Sequence, residues 1–273
     1  MSPLATGGVV VAVLLVLLAT GMPIAFALGL VSIGALVLTS GWGIMDIVGE
    51  VFFGSLASFG LVSIPMFILM GAAIASSPAG KDLYIALDRW LTRVPGGLVL
   101  SNLGACAIFS ALSGSSPATC AAIGKMGIPE MTQRGYPKDI AAGSIAAGGT
   151  LGILIPPSIT MIVYGIATET SIGRLFLAGV VPGTMLTAIF MAWTLLACRL
   201  KGYHFGAVGG HFSLREKLEA LPRVMPFLAV VLGILFVLYG GVATPSEAAG
   251  AGALFCLLLV VIIYRMWQVA PLA

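Results

Sequence analysis

The chain has 273 residues, of which 59% are hydrophobic and 8% charged, with a mean hydropathy of +1.12 and a formal net charge of +3. Soluble domains carry about 25% charged residues, so this composition excludes an ordinary soluble domain. It indicates an all-α polytopic protein embedded in the lipid bilayer. The basic residues are few and scattered between apolar runs, which argues against a nucleic-acid partner.

The first third of the chain contains three apolar runs and one amphipathic segment. Residues 4–20 and 23–39 are predicted spans, and no basic residue precedes the first, so we expect it to be retained rather than cleaved as a signal peptide. The less apolar stretch 44–61 is predicted to lie at a surface or as a tilted interfacial helix. A short span over 63–76 precedes residues 81–93, whose apolar residues recur at helical spacing as in an interfacial helix.

An apolar stretch over residues 97–131 is interrupted by the sequence Ser-Gly-Ser-Ser-Pro, which begins at Ser113. A helix does not pass smoothly through this cluster, because hydroxyls compete for backbone hydrogen bonds and proline has no amide hydrogen. Non-helical backbone is tolerated at membrane depth only inside protein or beside a water-filled cavity. The pattern predicts a re-entrant hairpin with a site at its apex, where four hydroxyl groups cluster: Ser113, Ser115, Ser116 and Thr119. Close packing of small residues is the alternative.

A second break interrupts the apolar stretch 138–168, first at Gly148-Gly149-Thr150 and then at Ile155-Pro156-Pro157-Ser158. Two consecutive prolines stop the helical ladder and leave the preceding carbonyls without intrahelical donors. We expect the carbonyls of Gly152, Ile155 and Pro157 to complete a cation shell with the serine cluster. The half-helix that begins near Ser158 would present a positive N-terminal end to a carboxylate. A plain proline kink is the alternative.

Three further spans are predicted over residues 172–200, 222–239 and 247–264. If the stretch 97–131 enters and leaves on one side and every other span crosses, all basic residues except Arg174 fall on one face. Cytoplasmic loops are enriched in lysine and arginine, so this face is predicted to be cytosolic and the N-terminus outside. Two complete membrane crossings by residues 97–131 would leave the basic residues on the same faces. Each half of this stretch is short for a complete crossing.

Two short segments show an internal resemblance that suggests an inverted repeat. Residues 21–29 and 241–250 each place a glycine and proline break before an alanine- and glycine-rich span, and the two spans run in opposite directions on this threading. Secondary transporters use such repeats and supply neutral oxygens to Na⁺ from broken helices. The second repeat is predicted to begin near Pro222.

The sequence argues against an enzyme. No histidine lies in a predicted span to activate Ser115 as a nucleophile, and there is no Gly-x-x-x-x-Gly-Lys-Ser/Thr phosphate loop. His204 and His211 lie in a polar loop and lack a second ligand pair, so we expect no transition-metal site. We expect no catalytic residue and no cofactor, with Na⁺ acting as a coupling ion.

Five motifs together resemble the large membrane subunit of tripartite ATP-independent periplasmic (TRAP) transporters. They occur in the order that this family shows: Ile64-Pro-Met-Phe-Ile-Leu-Met-Gly71, Ser113-Gly-Ser-Ser-Pro-Ala-Thr119, Ile128-Pro-Glu-Met131 with Gly135-Tyr136, Ile155-Pro-Pro-Ser158 and Leu175-Phe-Leu-Ala-Gly-Val-Val-Pro-Gly183. The resemblance implies an elevator-type Na⁺ symporter for an organic acid, such as a dicarboxylate or a sialic-acid-like compound. It also implies a bacterial inner-membrane location, a small four-helix membrane subunit and a periplasmic substrate-binding protein.

The resemblance also implies a division of the chain. Residues 1–93 would form scaffold helices with an interfacial arm helix, and residues 94–170 half of a mobile transport domain. Residues 171–221 would form a span and a cytoplasmic loop, and 222–273 the start of a second scaffold repeat. The implied Na⁺ site takes Ser113, Ser116, Gly152, Ile155 and Pro157; the residues nearest the substrate would be Gly114, Ser115, Thr119, Pro156 and Ser158.

The ending departs from the family pattern. The family has a second hairpin and a second cation site, and this sequence stops at Ala273 before either, so we expect a fragment or a remainder on another chain. Two rival functions remain open at this point. One is an ion-coupled anion symporter of similar architecture that works without a binding protein, and the other is a membrane protein that transports nothing.

Overall fold

A computed structural model describes residues 3–91, 94–200 and 212–264, and the regular elements in these ranges are all helical. The helices are α1 (Pro3–Ala19), α2 (Ile24–Ser40), α3 (Ile44–Leu56), α4 (Ser63–Ala75), α5 (Ala79–Leu91), α6 (Gly97–Ser113), α7 (Ser116–Gln133), α8 (Lys138–Gly149), α9 (Ile159–Ala167), α10 (Ile172–Leu200), α11 (Leu214–Tyr239) and α12 (Pro245–Tyr264). Two 3₁₀ turns cover Phe59–Val62 and Thr150–Ile153. The predicted loop histidines, His204 and His211, lie outside the described residues.

Two of the described helices, α10 and α12, are by themselves long and apolar enough to cross a membrane. The number rises to at most four if each of two bent helix pairs is counted as one span. Shorter apolar helices cover Leu4–Ala19, Ile24–Ser40 and Gly97–Ser113. Length and composition thus agree with an all-α integral membrane protein.

The first compact unit, Met1–Ser58, contains α1, α2 and α3. Helix α1 packs on α2, and the turn between them contains Gly21 with φ +80°, where a side chain would be strained. Much of the apolar surface of this unit is exposed, including Leu38 at 88% and Phe53 at 75%. Exposed apolar surface of this extent suits contact with lipid tails rather than water.

The second compact unit, Phe59–Ala273, is built around α6. Nearly all of α6 is buried, because α4, α5, α7, α8 and α10 all pack on it. By contrast, only Phe176, Gly179 and Gly183 are buried in the much longer α10. Helix α6 is therefore the core of this unit, and α10 presents most of its apolar side chains outward.

The helix breaks lie close to the predicted positions, with one larger difference. The span predicted from residue 222 is the second part of a helix that already begins at Leu214. Ser213 and Glu216 form a capping box, in which the Ser213 hydroxyl accepts from the Glu216 amide and the Glu216 carboxylate accepts from the Ser213 amide. These bonds satisfy the first amide groups and start the helix early. Prolines 222 and 226 are then accommodated inside it.

Candidate functional site

The apex of the predicted hairpin is a two-residue break between α6 and α7. Gly114 ends α6 with φ +60°, the left-handed conformation that glycine adopts at helix C-termini, and its amide donates to the Ser110 carbonyl at 2.8 Å. Ser115 is extended, and Pro117 occupies the first turn of α7, where a missing amide hydrogen costs nothing. The local sequence therefore accounts for both helix ends.

The hydroxyl groups of the apex form a buried network. The Thr119 hydroxyl donates to the Ser115 carbonyl at 2.9 Å, and the hydroxyls of Ser113 and Thr119 are 3.0 Å apart. Either hydroxyl can be the donor in the second bond by geometry; if Thr119 donates to Ser115, Ser113 is the donor. The Ser113 oxygen also accepts from the Ser115 amide at 3.4 Å, which leaves one lone pair for a cation.

The second broken element consists of α8, the 3₁₀ turn Thr150–Ile153, a non-helical segment and α9. A cis peptide bond joins Pro156 to Pro157 in this segment. Ser158 caps α9: its hydroxyl accepts from the Met161 amide at 3.4 Å and donates to the Ile153 carbonyl at 2.9 Å. The predicted positive end of α9 is thus partly engaged by its own cap.

The two broken elements touch through their backbones. The Ile159 amide donates to the Gly114 carbonyl at 3.1 Å. A Cβ atom added to Gly114 would lie 2.8 Å from the Pro157 oxygen, and one added to Gly152 would lie 2.6 Å from the Ser116 amide nitrogen. Both distances are too short for any side chain, so glycine is required at these two positions for the breaks to meet.

An unsatisfied polar group lies where the two breaks meet. The Ser116 hydroxyl is buried and has no hydrogen-bond partner among the described residues. The described backbone bonds include none accepted by the carbonyls of Ile155 or Pro157. Buried polar groups are normally paired, and a bound water or ion is one explanation for an unpaired one. This arrangement suits a small cation that takes neutral oxygen ligands.

Comparison with known proteins establishes the family. A sequence profile described as "Tripartite ATP-independent periplasmic transporter, DctM component" matches residues 11–273. The chain belongs to the DctM family. The resemblance drawn from the sequence motifs is therefore confirmed, and these permeases are membrane transporters rather than a family of enzymes.

Individual relatives agree with the family match. The chain is 41% identical over 205 residues to the C4-dicarboxylate TRAP transporter large permease protein DctM of Pseudomonas aeruginosa, covering 75% of this chain and 47% of that protein. It is 37% identical to the isethionate TRAP transporter permease protein DctMQ of Oleidesulfovibrio alaskensis, over 91% of this chain and 39% of that protein. It is 32% identical to the sialic acid TRAP transporter large permease protein SiaM of Vibrio cholerae, over 91% of this chain and 57% of that protein. The DctM-family chain thus spans about half the length of these relatives.

Some predicted site residues of this DctM-family chain are not brought to the apex by the described contacts. The side chain of Ile155 packs against Gly183 of α10, and Pro156 lines a separate apolar cavity of about 380 Å³ between α6, α10 and α11. Thr119 is fully buried inside the apex network. Ser113 and Ser115, by contrast, line a larger cavity of about 890 Å³. Of the residues predicted to lie near the substrate, Ser115 is the one with the most direct access to open space.

The structure also shows a charged cluster at the other end of the hairpin, which sequence reasoning missed. The Arg134 guanidinium, just after α7, donates to both carboxylate oxygens of Asp88 on α5, at 2.9 and 3.3 Å, and to Glu130 at 2.8 Å. The Asp88 side chain is only 8% exposed. The i,i+4 spacing of Glu130 and Arg134 signalled that pair, but nothing local signalled Asp88, which is 46 residues away.

The ionisation of this cluster follows from its surroundings. Burial of the Arg134 guanidinium opposes its charge, but hydrogen bonds and attraction from Asp88 and Glu130 prevail and raise the pKa of Arg134 above its usual value. The pKa of the buried Tyr84 hydroxyl is raised, first by burial and then by the negative charges of Asp88 and Glu130. The cluster therefore keeps a charged arginine and a neutral tyrosine at ordinary pH.

The described part of the chain contains no group of three or more histidine, cysteine or acidic side chains placed to hold a metal ion. The polar groups that meet at the apex are neutral oxygens. Such ligands are hard donors, suited to alkali or alkaline-earth cations rather than to zinc or copper.

Proposed function

We propose that this chain takes part in Na⁺-coupled symport of an organic acid across the bacterial inner membrane, as the large permease subunit of a TRAP transporter. The partners would be a small four-helix membrane subunit and a periplasmic substrate-binding protein. The family supports organic-acid transport of the TRAP type. The observation that carries the sodium assignment is the buried, unpaired hydroxyl of Ser116 beside the two broken elements.

Sodium would act here as a link between the two breaks. The Ser113 and Ser116 hydroxyls come from the hairpin, and the carbonyls of Gly152, Ile155 and Pro157 come from the broken helix. A cation bound between them would give the Ser116 hydroxyl, which has no hydrogen-bond partner among the described residues, a positive charge to coordinate. Because the apex and the broken helix already touch at Gly114 and Gly152, small local adjustments would complete the shell. Binding of Na⁺ would thereby favour the arrangement that receives the substrate.

The substrate class follows from the relatives and the neighbouring cavity. Relatives are named for C4-dicarboxylates, sialic acid, ectoine and isethionate, so an organic acid is the common feature that we carry over. Ser113 and Ser115 line the larger cavity beside the proposed cation shell. A positive ion next to this cavity would attract a carboxylate, which gives a physical reason for coupling. The inverted-repeat architecture and the elevator movement of residues 94–170 belong to this proposal.

The decisive experiment is uptake by the complete permease, reconstituted in proteoliposomes with its membrane and periplasmic partners under an imposed Na⁺ gradient. Ser116→Ala should raise the half-saturating Na⁺ concentration by about tenfold or more, because one cation ligand of about 1.4 kcal/mol is lost. Since Ser116 has no hydrogen bond to lose, its removal should not lower the free energy of unfolding. Ser113→Ala should weaken Na⁺ binding and also lower stability, because Ser113 bonds to Thr119.

The matched control is Ser101→Ala. Ser101 is likewise buried, in α6, and among the described residues its hydroxyl bonds to the Gly97 carbonyl of its own helix, away from the apex. This variant should leave the Na⁺ dependence unchanged. An unchanged half-saturating Na⁺ concentration in Ser116→Ala would reject the site. Uptake by the wild type that ignores Na⁺ would reject the coupling, and uptake without the binding protein would favour the binding-protein-independent symporter.

A further inference from the structure

The cavity of about 890 Å³ runs from the apex of the hairpin along α7 to the start of α5. At one end it is lined by Ser113 and Ser115, and at the other by Lys81 and Lys125. Lys125 lies ten positions after Ser115 along α7, so the two ends are about 15 Å apart at about 1.5 Å per residue. The walls between them are mostly small residues: Gly71, Ala72, Ala75, Ala118, Ala121 and Ala122.

We propose that this cavity is an anion-binding passage in which Lys81 and Lys125 draw a small carboxylate from the hairpin apex towards the face that carries the basic residues. The proposal rests on the function proposed above, and it adds a second subsite for the same class of substrate. It concerns the lysine end of the cavity rather than the sodium site or the hairpin tip.

The two lysines lie at the same end of the cavity. A Cβ atom added to Gly80 would lie 3.4 Å from the Met126 methyl group, so α5 and α7 are in contact there. Lys81 and Lys125 are the chain neighbours of these two residues. Both lysines are exposed, and neither takes part in an ion pair within the described ranges 3–91, 94–200 and 212–264.

The charge of the lining is one-sided. Lys81 and Lys125 are its charged members, and it contains no carboxylate. The nearest acidic residue in sequence, Asp82, accepts a hydrogen bond at 2.9 Å from the Tyr264 hydroxyl on α12 rather than lining the cavity. Positive charge within low-dielectric walls concentrates anions in a cleft. The cavity also falls in the size range of small-molecule sites, about 300–1,000 Å³.

Lys81 lies at the positive end of α5, and the neighbouring carboxylate of the same turn, Asp82, accepts a hydrogen bond from Tyr264. Lys81 belongs to the first turn of α5, where the amide groups point outward and the helix dipole is positive. An anion at this end of the cavity would meet both lysine side chains and the end of the helix together.

The test measures the electrostatic potential of the cavity directly, without any need for transport. Ala121 is exposed, lines the cavity and lies one helical turn before Lys125. Ala121→Cys is prepared in the complete permease in detergent, in a background where the half-buried Cys120 and Cys198 are replaced by alanine. Its modification rates are measured with an anionic methanethiosulfonate (sulfonatoethyl) and a cationic one (trimethylammonioethyl).

The ratio of the anionic to the cationic rate should fall by about tenfold when Lys81→Gln and Lys125→Gln are combined. Lys138→Gln removes an exposed lysine that does not line the cavity and should leave the ratio unchanged. Lys125→Arg should retain it, since the charge is kept. Sodium succinate should slow the anionic reagent at least threefold relative to NaCl of equal ionic strength, and only while both lysines are present.

Three outcomes would overturn the proposal. One is a rate ratio that the double substitution does not change, and another is the absence of any slowing by succinate. The third distinguishes a carboxylate from lipid phosphate, which is also an anion. If the effect of the lysines on the rate ratio disappears in vesicles that contain anionic lipid but persists in phosphatidylcholine vesicles, the lysines bind lipid headgroups instead. Because no arm depends on a sodium gradient, failure here leaves the sodium proposal standing, and the reverse also holds.

Discussion

The two ends of the hairpin formed by α6 and α7 differ in the charge of the polar groups that they contain. At the apex, the groups that meet are neutral hydroxyls and carbonyls, and the Ser116 hydroxyl is left without a partner. At the other end, Arg134, Asp88 and Glu130 form a charged cluster in which the arginine is bound by both acids. The apex thus has a hydroxyl that can still bind a ligand, whereas the charged groups of the cluster already bind one another.

This difference suits the apex to binding a ligand and the charged cluster to anchoring the hairpin. A buried charged pair holds two elements together strongly once formed, and it is costly to separate because each charge would be left without compensation. Neutral oxygens can be exposed and covered again at lower cost, which suits a site that must load and release a cation. The Asp88–Arg134 pair fixes α7 to α5, while the apex touches α8 and α9 through backbone contacts at two glycines.

The largest effect on stability is expected from breaking the charged cluster. Arg134→Ala should lower the free energy of unfolding by about 3 kcal/mol, because the nearly buried Asp88 carboxylate loses its cation. Arg215→Ala is the matched control, since Arg215 and Glu219 form an exposed pair worth about 0.5 kcal/mol or less. Unfolding titrations of both variants in detergent measure the difference. Equal losses in the two variants would show that the cluster does not anchor the hairpin.

A smaller loss of stability but a larger loss of transport is expected from crowding the apex. Gly152→Ala places a methyl group 2.6 Å from the Ser116 amide nitrogen, so the two breaks must separate at a cost of about 2 kcal/mol. Sodium-dependent uptake should fall at least tenfold. The control is Gly143→Ala on the exposed face of α8, where a Cβ meets nothing within 4 Å. Normal Na⁺ affinity in Gly152→Ala would contradict the proposed shell.

The smallest effect concerns pH and the tyrosine that follows α7. Burial raises the pKa of Tyr136 from 10.0 to about 12. The folded protein therefore favours the neutral hydroxyl, and this contribution to stability is fully present below pH 10 and is lost as the pH rises towards 12. Tyr136→Phe should make the melting temperature fall less steeply across this window. Tyr164→Phe, at an exposed position, is the control. Parallel profiles for wild type and Tyr136→Phe would contradict the assignment.

Much of the secondary structure was predictable because its causes are local. The break at Gly114 follows from a left-handed glycine next to Ser115 and Pro117, and the break before α9 follows from two prolines and a capping serine. The predicted span from residue 222 begins eight residues after the start of α11 at Leu214, because the Ser213 capping box starts the helix earlier. Even there, the decisive signal was local and readable.

The candidate site, too, was predictable from the sequence only in part. The motifs predicted which hydroxyls and carbonyls gather near the breaks, and the family match confirms the protein class. They did not predict that the Ser116 hydroxyl would lack a hydrogen-bond partner among the described residues, or that Pro156 would face a separate apolar cavity. These outcomes depend on how the breaks are rotated against each other, and no single stretch of sequence encodes that rotation.

Sequence alone determined the membrane environment, the helix ends and the family, because hydropathy, glycine, proline and capping residues act on backbone within a few positions. Only the tertiary structure decided the contact of Asp88 with Arg134, 46 residues later, and the meeting of Lys81 and Lys125 at one cavity. The reason is geometric. Partners that are far apart in the chain are chosen by which helix faces pack together, and that choice minimises the energy of the whole helical assembly rather than of any one segment.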